Sequence, residues 1–207
     1  MALLGIELQE ATGQRVRLDG SSRPRQSGHL ETFALGDERI AGEVGTEFQV
    51  ILGWRFFAER TMLLDYAGLH LTFSPAGRPS DELHRPFAPL LALPYDDRAG
   101  LPLVSTDVVG TPLTLLVDTG APLSTLDQEI ARALPAPSGV MEVGVRSQRV
   151  PLAIREVAVA DQRVKIGFLA KDLTAMRPTG ARGVLGNSLL MEHRLLVVPG
   201  TRAIMLG

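Results

Sequence analysis

The sequence predicts a mostly β protein with a few short helices. Turn-forming residues are frequent, with 21 Gly and 14 Pro. The stretches between them are short and rich in Val, Leu, Ile and Phe, the pattern of strands joined by tight connections. Helical spacing is rare by comparison. In chain order, strands are expected over residues 14–18, 32–35, 62–64, 69–73, 101–109, 113–117, 140–145, 150–154, 157–159, 164–169, 195–198 and 203–206. A helix is expected over 125–134, where Leu126, Ile130 and Leu134 share one face. Ser124 is placed to start it and Pro135 to end it. Shorter helices are expected at 54–60 and 187–193, each just after a glycine.

Composition narrows the function classes. The chain of 207 residues is long enough for one large domain or two small ones. Its apolar share of 45% and charged share of 21% suit a globular protein with a sizeable core. A net charge of −2 gives no basic field for nucleic acid, and the arginines are dispersed and do not alternate with aromatics. The absence of cysteine excludes disulfides, thiolate nucleophiles and cysteine metal sites. His29, His70, His84 and His193 show no metal-ligand spacing, and no phosphate-binding glycine loop occurs, so neither metal nor cofactor is expected. His70 reads as a solvent-facing strand residue, Asp96-Asp97 as a solvated loop, and Trp54 with Phe56-Phe57 as core. The start of the chain lacks a basic, apolar leader, and no apolar run nears the ~18 residues of a membrane span. The compartment stays open: cytoplasmic as the sequence stands, periplasmic or exported if a signal lies upstream.

Organisation shows in two features. Residues 74–81 are polar and rich in breakers, which marks a linker. Across it the sequence repeats. Val50-Ile51-Leu52-Gly53-Trp54 lies without gaps on Gly183-Val184-Leu185-Gly186-Asn187, and the match continues to Glu59 and Glu192 at an offset of 133 residues. Residues 33–40 match 157–164, and 14–18 match 148–152, in the same order with altered loop lengths. Ordered matches of this kind point to two copies of one fold. The expected organisation is a partial unit at 1–75, a linker at 76–97 and a complete unit at 98–207.

The stretch with chemical character is Leu113-Thr114-Leu115-Leu116-Val117-Asp118-Thr119-Gly120-Ala121. An apolar strand stops at an acid, a hydroxyl and a glycine. A carboxylate at the end of a buried strand is costly unless it is paired, hydrogen-bonded or protonated. Gly120 lets the backbone turn sharply there. Taken alone, Asp-Thr-Gly also serves as an ordinary turn in which Asp bonds the backbone two residues on. The repeat offset carries Asp118 to a position before Met1. Leu18-Asp19-Gly20-Ser21 is no equivalent, since it follows an alternating strand and lies too near Gly53. The first unit therefore lacks a matching acid strand.

With Val117-Asp118-Thr119-Gly120-Ala121 followed later by Val184-Leu185-Gly186, residues 98–207 resemble a retropepsin-like aspartic peptidase domain, as in retroviral proteases and bacterial predicted aspartyl proteases. Residues 1–73 resemble the later two-thirds of a second such domain. The resemblance implies a retropepsin-like acid-protease β-barrel and an aspartic endopeptidase acting on peptide or protein substrates. Asp118 would be one of two carboxylates sharing a proton. Thr119, Gly120 and Ala121 would support the active-site loop, and Val184, Leu185 and Gly186 would pack beside it. Gly139, Val140, Met141 and Gly144 would belong to a flap hairpin. The second acid would come from a homodimer or, in an intrachain pseudo-dimer, from another acid motif upstream of residue 1. Failing both, the chain would be a silent peptide-binding or assembly module.

Overall fold

The computed structural model describes residues 7–10, 54–58, 60–74, 87–97, 100–145 and 147–207. The readings at 14–18 and 32–40 and the breaker-rich stretch 75–86 lie outside these. Among the described residues, strands dominate and the α-helices are short, as expected.

The chain enters with β1 (Glu7–Glu10), then α1 (Trp54–Phe57), and then the hairpin of β2 (Met62–Asp65) and β3 (His70–Phe73). Strand β4 (Leu91–Asp96) leads to β5 (Leu103–Val108), β6 (Thr111–Val117) and the short β7 (Thr125–Asp127), which runs into α2 (Gln128–Ala133). There follow β8 (Gly139–Val145), β9 (Gln148–Val159), β10 (Gln162–Lys171) and β11 (Gly183–Leu185). Helix α3 (Asn187–Leu190) precedes a last hairpin of β12 (Arg194–Val198) and β13 (Ala203–Leu206).

Six strands close on themselves in the order β5-β6-β11-β7-β10-β9, because β9 pairs back onto β5. Closure removes the open sheet edges that invite unwanted pairing. Alternation along β6 sends Leu113, Leu115 and Val117 inward. They meet Val104, Val108, Leu126, Val157, Ile166, Phe168 and Leu185 in one core. Strand β11 lies parallel to β6 and antiparallel to β7. Gly183 makes room for it: a Cβ there would sit 2.6 Å from a Leu115 methyl and 2.7 Å from the Thr125 carbonyl.

From β5 the sheet continues outside the barrel as a second run of strands, β4-β13-β12-β2-β3-β1. At its centre β2 and β12 are antiparallel, with Leu63 opposite Leu196, Met62 opposite Val197 and Leu64 opposite Leu195. A shift of 133 residues carries the hairpin pair Met62–Phe73 onto Leu195–Leu206, and it carries α1 onto α3. The same shift exchanges the two sides of the β2–β12 seam, so the seam has the register of a local two-fold.

The structure differs from the expected elements at several places, and β1 and β11 are strands the sequence reading does not predict. Strand β4 lies in the stretch expected as linker, and Asp96 ends it. Leu91, Leu93 and Tyr95 alternate into the core, a signal masked by the prolines around them. The predicted helix at 125–134 begins at Gln128 instead, because Thr125–Asp127 pair with β10 and β11. Asp127, not Ser124, caps that helix by accepting the Glu129 N–H at 2.9 Å. Finally, 150–154 and 157–159 are one long strand, β9.

Candidate active site

Asp118 is the first residue past β6, half-buried at the mouth of a tight turn. Its N–H donates to the Leu185 carbonyl at 3.0 Å, which continues the β6–β11 pairing by one residue. Its own carbonyl accepts the Ala121 N–H at 3.2 Å. Its Oδ1 accepts the Gly120 N–H at 2.8 Å. A Cβ at Gly120 would stand 3.1 Å from that same oxygen, so a side chain here would crowd the carboxylate.

The segment after β11 clamps the turn from the other side. The Asn187 N–H donates to the Ala121 carbonyl at 2.8 Å, and its Nδ2 donates to the Thr119 carbonyl at 2.9 Å. Gly186 is needed for this approach. A Cβ there would strike the Leu123 carbonyl and come within 2.8 Å of the Ala121 oxygen. Ser124, fully buried, accepts the Gly186 N–H at 3.0 Å, while the Ser124 N–H donates to the Ser188 Oγ at 2.8 Å. Val184 and Leu185 are buried beside the loop.

The structure thus brings Asp118, Thr119, Gly120 and Ala121 together with Val184, Leu185 and Gly186. Gly139, Val140, Met141 and Gly144 lie apart on β8, which pairs with β9 from Gly139–Ile154 to Val145–Gln148. Val140 faces outward, 64% exposed. Met141 folds back over Gly167 of β10, where a Cβ would meet its sulfur at 2.5 Å. Among the described residues, these four take no part in the hydrogen bonds that hold the Asp118 turn.

Sequence reasoning did not single out Asn187, Ser124, Ser188 or Tyr66 as members of this site. Asn187 had a signal, since it directly follows the Val184-Leu185-Gly186 motif. Tyr66 had none: its hydroxyl donates to Asn187 Oδ1 at 2.9 Å across 121 residues of sequence. Burial pushes the Tyr66 phenol well above its ordinary range, and the negative charge of Asp118 adds to the shift. Tyr66 is thus held neutral close to the Asp118 carboxylate.

No protein-family model matches the sequence. No curated protein matches it either. Among solved structures, the protease of equine infectious anaemia virus (EIAV), complexed with the inhibitor HBY-793, is 21% identical with a TM-score of 0.32, covering 44% of this chain and 86% of its own. The simian foamy virus (mac) protease is 16% identical with a TM-score of 0.28, covering 42% of this chain and 88% of its own. A retropepsin-like aspartic protease from Rickettsia conorii is 18% identical with a TM-score of 0.36, covering 56% of this chain and 87% of its own. The mostly β chain, with its closed six-stranded barrel, is similar in these comparisons to retropepsin-like aspartic proteases.

Proposed function

We propose that the chain is an aspartic endopeptidase that hydrolyses peptide bonds with a water activated between two carboxylates, one of them Asp118. The observation that carries this reading is how Asp118 is held. Its turn is tied to Leu185, Asn187 and Gly120 through backbone and amide bonds, while the residue itself stays only half-buried. A rigid loop presenting one accessible acid suits acid–base chemistry, where positioning lowers the barrier before any proton moves. Two such acids at close range share a proton. One then draws a proton from water while the other polarises the scissile carbonyl. The pair titrates as a unit, so the two roles are not fixed to one residue each.

The local two-fold at the β2–β12 seam supports tandem units at 1–75 and 98–207. It also favours an intrachain pseudo-dimer over a symmetric homodimer, because the edge of β12 is already covered by β2. In this reading the second acid meets Asp118 at the counterpart position set by that two-fold, which the 133-residue offset puts before Met1, outside residues 1–75. The β8–β9 hairpin, with Gly139, Val140, Met141 and Gly144, acts as a flap over an extended peptide and excludes water. Thr119, Gly120 and Ala121 support the loop, and Val184, Leu185 and Gly186 pack it.

One observation favours a second reading. The sequence holds a single Asp-Thr-Gly. Without a second acid the same fold is a silent peptide-binding or assembly module. Cleavage of a mixed peptide library at mildly acidic pH, wild type against Asp118→Asn, separates the two. Pepstatin-sensitive cleavage lost in the variant is expected, whereas equal turnover by both proteins removes Asp118 from the mechanism. Peptide binding without cleavage by either protein selects the silent module.

A further inference from the structure

We infer that Tyr66 is a positioning residue for the Asp118 loop, acting through Asn187, so that the unit preceding the linker completes the site of the unit that follows it. The inference rests on the reading of Asp118 as a catalytic carboxylate. Its geometry is a relay of two hydrogen bonds. The Tyr66 hydroxyl donates to Asn187 Oδ1 at 2.9 Å, and Asn187 Nδ2 donates to the Thr119 carbonyl at 2.9 Å. The amide has one workable orientation. The Thr119 carbonyl can only accept, so it takes the NH₂ group, which leaves Oδ1 for the phenol. Without Tyr66 the Asn187 carbonyl, in a residue only 5% exposed, loses its Tyr66 donor, and the amide is less firmly held. The Thr119 carbonyl belongs to the Thr119–Gly120 peptide, whose N–H donates to Asp118 Oδ1 at 2.8 Å, so a loosened Asn187 frees the plane that orients the carboxylate.

The placement of Tyr66 follows from the fold. It sits in the turn between β2 and β3, and β2 is tied to β12 along the seam. Helix α3, which opens with Asn187, leads straight into β12. The seam therefore sets the distance between the phenol and the amide. The neutral phenol, kept so by burial and by the charge of Asp118, remains a donor at every pH where the loop functions.

The test is Tyr66→Phe, which keeps the ring and removes the hydroxyl. Residue-resolved amide hydrogen exchange on the full chain should show Gly120, Ala121 and Asn187 exchanging about tenfold faster, with β9 and β10 unchanged, since one net hydrogen bond is worth up to about a factor of ten. Wild-type exchange at those three amides overturns the proposal. So does acceleration spread evenly over the barrel, which would make Tyr66 a matter of bulk stability. In the cleavage assay the same variant should lose about tenfold in kcat with KM unchanged. An inactive wild type whose loop still responds to Tyr66→Phe strikes the peptidase reading alone. An active enzyme with an indifferent variant strikes Tyr66 alone.

Discussion

Gly186 has an ordinary negative φ of −109°, so backbone freedom does not explain a glycine there. Space does. A methyl group would run into the Leu123 and Ala121 carbonyls, which are backbone and have little room to give. Gly186→Ala is therefore expected to cost about 3 kcal/mol, as overpacking does, and to disturb the Asp118 turn with it. Urea denaturation followed by far-UV circular dichroism measures the first effect, and peptide cleavage the second. Ser124 makes the complementary case. Its hydroxyl takes the Gly186 N–H in a dry position, so Ser124→Ala strands that donor and should cost about 1–3 kcal/mol. Unchanged stability in this variant would mean that the N–H finds another acceptor. At this scale Asp118, Gly120 and Gly186 were legible, because an acid after an apolar strand and a glycine before a helix are local signals. Ser124 and Tyr66 were not. Their roles come from partners 62 and 121 residues away, and a serine before a helical stretch reads first as a cap.

The misread helix start shows how an element can be set from outside itself. Residues 125–127 carry helical spacing, yet their backbone groups are claimed by β10 and β11 on either side. The helix begins only where that pairing ends, and Asp127 marks the place. Burial pushes the Asp127 carboxyl up, but the Glu129 N–H and the Arg177 and Arg182 guanidiniums outweigh it and hold the group below the usual carboxylate range. The sign of the linkage follows. A carboxylate with a lowered folded-state pKa stabilises the fold above its unfolded value of about 3.9, and that contribution disappears as pH falls through the lower folded value. Wild-type stability should thus fall as pH drops below about 4. Asp127→Asn, which cannot take the charge, should be less stable at neutral pH and flatter across that acid window. Parallel acid dependence in the two proteins would remove Asp127 from the linkage.

At the scale of the whole molecule, the question is whether residues 54–73 are an appendage or part of one body with the barrel. The repeat offset was legible because Gly53-Trp54 and Gly186-Asn187 align without gaps, but nothing in the sequence said that the two hairpins would pair with each other. That pairing is a long-range event, decided by matching apolar edges. Leu64 and Leu195 face each other across it, both in the main core. Either leucine changed to alanine should cost about 2–5 kcal/mol. Because the two share neighbours, the double variant should fall short of the sum by about 0.5–3 kcal/mol. A second measurement separates one body from two. Trp54 is the single tryptophan, packed edge-on against Tyr95 of β4 at 5.1 Å between ring centroids. Its fluorescence reports contact between the two sides, whereas circular dichroism is dominated by the barrel strands. The two urea transitions should coincide, as they do when one cooperative unit unfolds. A fluorescence transition that precedes the loss of strand signal, together with additive leucine effects, would mean that 54–73 detaches on its own. The partner position opposite Asp118 would then be open to a second copy of the chain.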